Sequence, residues 1–316
     1  MRVVPEGQLV FGMQLPVQAQ SEMFVADWER TAGPDELIGI VRKADETGFF
    51  YVGVCDHVAI PEDRTAAMGT TWYDTIATLG LIAGCTTRVR LLSHVWVPVY
   101  RHPLVSAKAF ATLDHLSKGR VIIGVGAGHV VNEFASLGVD YHRRGALLDE
   151  AIDAIDVALR EQSATFAGPT WSFADVSVGP RPVQRPRPPI WVGGSTPAAI
   201  KRAAIRSDGW LPQGTPRRDL PGQIAELRRH RDVAGITEPL DIGTICETCY
   251  VGQPQWDVGA GVITGDANRI AESFNEFETM GVNQLQVRFK VRSCDELLDQ
   301  MEAFGTDVAP LLKESA

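Results

Sequence analysis

A short apolar, β-prone run followed by a stretch of helical period, repeated eight times from one end to the other, is what most limits the folds open to this chain. The apolar runs are Leu9 to Leu15, Tyr51 to Cys55, Val89 to Ser93, Val121 to Val125, Ile190 to Val192, Gly209 to Leu211, Ile242 to Val251 and Gln284 to Val287. A helical stretch follows each of them. The first starts at Pro34 with Leu37, Val41 and Ala44 on one face; then come Tyr73 to Cys85, His102 to Ser117 and Arg143 to Arg160. The last four start at Pro197, Leu220, Asp266 and Asp295. Eight units with no second zone of composition predict one closed (β/α)8 TIM barrel with insertions, a single domain over 1–316, rather than an open doubly wound sheet.

The period breaks once. ATFAGPTWSF reads as two short β-like runs around Gly168 and Pro169. The proline-rich stretch from Pro180 to Pro189 reads as a surface strap rather than a linker, because the alternation resumes directly after it.

Charge and composition remove several classes of function. With 30 Lys and Arg against 39 Asp and Glu, a net charge of −9 and no basic run, there is no electrostatic basis for nucleic-acid or membrane-surface binding. MRVVPEGQLVFGMQLP has no signal-peptide core and no apolar run is long enough to span a bilayer, so a cytoplasmic location is expected. The 5 cysteines are too scattered for a disulfide framework. Cys246 and Cys249 form a CxxC inside an apparent strand, where residues three apart face opposite sides and cannot share a metal; buried thiols are expected there.

A barrel places its chemistry on the loops that follow the strands. Those strand ends carry Gln14, Leu15 and Pro16; Cys55, Asp56 and His57; Ser93 and His94; Gly126, Ala127, Gly128 and His129; and Gly193, Gly194, Ser195 and Thr196. Three of the 7 histidines, His57, His94 and His129, thus gather at one rim. Imidazoles beside Asp56 also permit a zinc or iron site, but the first strand offers Gln14 where barrel hydrolases carry a His-x-His pair, so no metal is expected. GVGAG, Gly124 to Gly128, lacks the third glycine of a dinucleotide fingerprint, since His129 stands there. The better anion site is Gly193 to Pro197, where Thr196 caps a helix whose first turn holds Pro197 and leaves free N–H groups.

The segments TTRVRLLSHVWVPVYRHPLVSAKAFATLDHLSKGRVIIGVGAG, PRPVQRPRPPIWVGGSTPAAIKRAA and SDGWLP resemble the luciferase-like monooxygenase superfamily, closest to the branch that uses the deazaflavin coenzyme F420. The resemblance runs from FGMQLP at the first strand to QLQVRF at the eighth. It implies a flavin-like ring over the barrel mouth, near Asp56 and His57. The bulge at Ser93, His94 and Val95 would support the ring, often through a non-proline cis peptide. Gly126, Ala127 and Gly128 would lie beside it, Asn132 and Glu133 would line the pocket, and Gly193, Gly194, Ser195 and Thr196 would hold phosphate. Two departures argue against a sugar-phosphate substrate: His129 replaces the glutamate after the glycine turn, and Pro61 the tryptophan beyond the Asp-His pair.

The implied activity is hydride transfer between F420 and a small organic substrate. His57 is the first candidate acid/base, with Asp56 as its orienting carboxylate, and His129 the second. Trp96 and Tyr100 either wall the substrate side or pack into the core. The loops Ala59 to Thr71 and Gln253 to Gly265 are expected to shape the substrate site. Alternatives are an FMN-dependent two-component monooxygenase served by a partner reductase, a metal-dependent barrel hydrolase, and a ligand carrier without catalysis. A homodimer is the family's usual assembly.

Overall fold

A computed structural model of the protein describes residues 1–22 and 24–312. In chain order it contains β1 (Val10–Gln14), α1 (Pro34–Glu46), β2 (Tyr51–Val54), α2 (Glu62–Met68), α3 (Thr75–Cys85), β3 (Arg90–Ser93), α4 (Pro103–Leu116) and β4 (Val121–Val125). Next come α5 (Val131–Ser136), α6 (Arg144–Arg160), the hairpin strands β5 (Ala164–Ala167) and β6 (Ser172–Val176), β7 (Ile190–Gly193), α7 (Pro197–Arg206) and β8 (Gly209–Leu211). The chain ends with α8 (Leu220–Ala234), β9 (Asp241–Val251), β10 (Ile263–Gly265), α9 (Ala267–Thr279), β11 (Gln284–Phe289) and α10 (Cys294–Ala303).

Strands β1, β2, β3, β4, β7, β8, β9 and β11 pair in parallel, and β11 returns to β1, so the sheet closes into an eight-stranded barrel. Each barrel strand lies within about two residues of its apolar run, because that run is buried on both faces. The short β10 only lengthens the edge beside β9. The reading from sequence passes over β10, α2 and α5. No residue of α2 is buried, and α5 is only 6 residues long, so neither prints an apolar stripe.

Two apolar clusters divide the interior. The larger lies between sheet and helices. The smaller fills the barrel itself with Val4, Val10, Tyr51, Leu92, Ile122, Trp191 and Leu211. Within it large side chains rest on glycines of the neighbouring strand. A Cβ on Gly12 would stand 2.4 Å from the Tyr51 ring, and one on Gly209 2.2 Å from Trp191. A short, wide barrel can therefore hold Tyr and Trp at its centre, alternating large with absent side chains. At the base, the Val3 and Val4 N–H groups donate to the Asp241 carboxylate at 2.8 and 3.3 Å, which plugs the N-terminal end.

The proline-rich stretch lies on the barrel as a strap. Asp114 accepts the Val183 and Gln184 N–H groups at 2.8 and 3.0 Å, and the buried Arg187 pairs with Asp156 and Asp208. Among the described residues no helix is long and apolar enough to cross a membrane.

This packing yields a pair of substitutions with opposite signs. Gly12→Ala drives a methyl group into the buried Tyr51 ring and is expected to cost about 1–3 kcal/mol. Gly80→Ala, on the exposed face of α3 with nothing within 4 Å of its Cβ, is expected to stabilise by about 0.5–1 kcal/mol. Urea midpoints of the two variants against the parent chain test both, and a neutral Gly12→Ala would refute the packing argument.

Candidate active site

The rim of the barrel is built around the end of β3. There the backbone bulges through a cis peptide between His94 and Val95. Neighbouring strands leave room for the bulge: a Cβ on Gly53 would lie 2.9 Å from the His94 Cβ, and Cβ atoms on Gly126 and Gly193 would lie 2.5 and 2.9 Å from Val95. Ser93 is fully buried, and its hydroxyl donates to the Gly124 carbonyl at 2.9 Å. His94 is 6% exposed, and its Nε2 has no hydrogen-bond partner among the described residues. Burial first, and the charge of Arg288 second, push its pKa down to about 4, so it is neutral at physiological pH.

Asp56 does not orient His57, contrary to the expectation from sequence. Consecutive residues of an extended segment point to opposite sides. The Asp56 carboxylate turns inward, takes both guanidinium N–H groups of Arg101 at 2.8 and 2.9 Å, and accepts the Val97 N–H at 2.9 Å. Arg101 in turn stacks on Trp96, 3.7 Å from the ring centroid. Trp96 is therefore core: it is 2% exposed, and its Nε1 donates to Ser106.

The carboxylate that meets His57 is Glu133, from α5. Its Oε2 lies 2.9 Å from His57 Nδ1 and accepts the Tyr100 hydroxyl at 3.1 Å. Its Oε1 accepts the Val58 and Ala59 N–H groups at 2.7 and 3.2 Å. Burial alone would raise the Glu133 pKa, but the His57 bond, its charge and these backbone donors hold it below the usual value. An ionised carboxylate has nothing to donate, so the proton between the two groups sits on His57 Nδ1. That leaves Nε2 as the His57 ring nitrogen with no hydrogen-bond partner among the described residues. The Trp72 ring lies 4.4 Å from His57 at its edge, and His129 lies 5.7 Å away, centroid to centroid. His129 sits at the exposed rim, yet the groups crowding it, and then His57 itself, lower its pKa.

The glycine turn after β4 packs as well as bends. Gly126 is buried, Ala127 half-buried, and Gly128, at φ 73°, leaves space that the Phe134 ring fills. Asn132 is exposed and donates to Asp63 of α2 at 2.9 Å. At the end of β7, Gly194 has φ 114° and Thr196 caps α7 by accepting the Ala199 N–H at 3.2 Å. The Ser195 hydroxyl is taken up by Gln213 and Thr215. The Ser195 and Thr196 N–H groups have no backbone acceptor among the described residues and stand at the helix N-terminus, the arrangement that receives an anion.

Cys246 and Cys249 are free and buried. Burial pushes Cys249 up to about 12 and Cys246 well above the usual range. Among the described residues no three His, Cys, Asp or Glu side chains converge as a metal ligand set. Reading the sequence did not reach Arg101, which is distant from Asp56 in the chain, or Arg288, which the alternation of β11 places on the same face as Gln284 and Gln286.

Among known proteins, residues 11–258 match the family described as luciferase-like monooxygenase. Over 189 residues the chain is 36% identical to an uncharacterized protein of Mycobacterium tuberculosis, a match covering 56% of this chain and 66% of that one. The chain thus spans about two thirds of that relative's length. It is 33% identical over 200 residues to a Microbacterium testaceum protein named F420-dependent glucose-6-phosphate dehydrogenase, covering 61% of this chain and 54% of the other. An F420-dependent secondary alcohol dehydrogenase solved with an F420-acetone adduct superimposes with a TM-score of 0.78 at 17% identity, over 97% of this chain and 99% of that one. The oxygenating constituent of 3,6-diketocamphane monooxygenase from Pseudomonas putida, solved with FMN, gives 0.76 at 12% identity over 96% and 98%. At these identities the structural likeness is one of fold.

The buried His94 makes stability depend on pH. An unfolded chain protonates this imidazole near 6.5, whereas the folded chain resists until about 4. The unfolded state therefore binds more protons in that window, and stability falls with pH through it, by on the order of 3 kcal/mol. His94→Gln is expected to lose less stability than the parent between neutral pH and about 4. Parallel stability profiles of the two proteins, from urea unfolding across pH, would refute the assignment.

Proposed function

Because the chain belongs to the luciferase-like monooxygenase family, we propose that it is an oxidoreductase that transfers hydride between coenzyme F420 and a small organic substrate at the barrel mouth. The observation that carries this reading is the His57–Glu133 pair: a histidine fixed at Nδ1 by an ionised carboxylate, with Nε2 left to take or give a proton. The 33% identity to a protein named for F420 dependence supports the choice of cofactor.

The residues present fit such a group. Val95, carried by the bulge, offers an apolar seat for a flat ring, and the N–H groups of Ser195 and Thr196 would take a phosphate. Bound F420 supplies hydride chemistry at a ring carbon. The protein's part is to orient the substrate and to exchange the accompanying proton at His57 Nε2. Glu133 keeps the imidazole in one tautomer and stabilises it once protonated, and the Tyr100 hydroxyl holds the carboxylate in place. His129, second in line, is made harder to protonate by burial and by the charge of a protonated His57. The substrate is a small molecule. Assembly as a homodimer, and supply of reduced cofactor by a separate reductase, belong to the same proposal.

Fluorescence-quenching titrations with F420 and FMN test the cofactor, and micromolar binding of FMN alone would overturn it. A screen of small alcohols, aldehydes and enones followed by F420 absorbance then supplies a substrate. With it, His57→Ala is expected to lower kcat by roughly 10²-fold or more at unchanged F420 affinity. Glu133→Gln should lower kcat less and shift the pH profile, because an amide no longer enforces the Nδ1 proton. Unchanged turnover in His57→Ala would remove that residue from the reaction.

A further inference from the structure

Arg288 stands at the mouth end of β11, on the face that alternation shares with Gln284 and Gln286. Gln284 donates to the Tyr51 hydroxyl inside the barrel, so this face is the lumenal one. The extra residue at the irregular pairing lies in β9, which leaves the alternation of β11 intact. The Arg288 side chain is exposed at this strand end, and its charge reaches the buried His94 of the β3 bulge.

The cation has no anion. Among the described residues no carboxylate pairs with the Arg288 guanidinium, whose one aromatic neighbour is Phe24 at 5.8 Å. The acidic groups nearest the mouth are engaged elsewhere: Asp56 by Arg101, Glu133 by His57, and Glu29 by the Val17 and Ala26 N–H groups. One step deeper on β11, Gln286 is 2% exposed and its amide Nε2 has no acceptor. A chain of net charge −9 thus keeps, two residues apart on one face of β11 at the mouth end, an exposed guanidinium without a carboxylate partner and a buried amide donor without an acceptor, among the described residues. Such donors are completed by a planar anion, which a guanidinium grips through two parallel bonds.

We propose that Arg288 determines substrate specificity by holding a carboxylate of the substrate. This rests on the reading that the mouth is the catalytic site, and it narrows the substrate class to small organic acids. The hydride-accepting or hydride-donating carbon is then held at a fixed distance from the anchored carboxylate, within reach of His57.

The test uses benzoate and its neutral counterpart benzamide as probes of the full-length protein, with affinities from titration calorimetry. The parent chain is expected to favour benzoate by about tenfold, Arg288→Gln to abolish that preference while leaving benzamide unchanged, and Arg288→Lys to retain part of it. Thermal midpoints establish that each variant is folded. No charge preference in the parent chain, or a preference surviving in Arg288→Gln, would overturn the proposal. F420 titrations separate the two readings. If Arg288→Gln loses F420 affinity but keeps the benzoate preference, the anion belongs to the cofactor and the anchor is wrong while the F420 reading stands. If the parent chain prefers benzoate but binds no F420, the cofactor reading fails and the anchor stands.

Discussion

The mouth depends on one buried ion pair. Asp56, 4% exposed, ties the loop after β2 to the loop after β3 through Arg101 and the Val97 N–H. Burial pushes its pKa up, and the bonds from Arg101 only partly offset this, so the pair is no large source of stability. What it does is fix geometry. Removing Arg101 would leave Asp56 charged and dry at a cost of about 3–5 kcal/mol, a large share of the margin by which domains stay folded. With Asp56 drawn inward, the next residue, His57, is turned outward to Glu133, and Arg101 clamps Trp96 beneath the bulge.

This explains which parts of the site were legible in the sequence. The eight barrel strands were, because a strand buried on both faces has to be an unbroken apolar run bounded by turns. The rim positions followed from parallel closure alone. Partnerships were not. Asp56 and His57 look like a pair because they are adjacent, yet adjacency in an extended segment separates side chains. The true partner, Glu133, lies on a short helix whose single buried stripe is too small to read, and Arg101 lies on the loop that leads into α4. Proximity in a barrel is set by which strands are neighbours, a property that no local periodicity carries.

Charge at the rim is distributed with similar economy. The two buried carboxylates there accept several donors each: Glu133 takes four and Asp56 three. Neither of these two is left free to bind a cation, whereas among the described residues donors remain open at Ser195, Thr196, Gln286 and Arg288. Unfilled donors beside saturated acceptors favour negatively charged groups, which is the physical basis shared by the two proposed anion sites, one on a helix N-terminus and the other on a guanidinium.

The glycine turn after β4 shows how sterics and recognition can be told apart. GVGAG resembles a phosphate fingerprint, but here its glycines answer to the bulge. A Cβ on Gly124 would sit 2.1 Å from the Ser93 carbonyl oxygen, one on Gly126 would strike Val95, and one on Gly128 would strike Phe134. Packing is by itself sufficient to require glycine at these positions, since the end of β3 and α5 press against them. At Gly194 the reason differs. Its φ of 114° is a backbone state that L side chains rarely adopt, and the next two N–H groups have no backbone acceptor among the described residues. Among the described residues only the second of these glycine segments leaves hydrogen-bonding capacity unspent, which supports the proposed anion site at the end of β7.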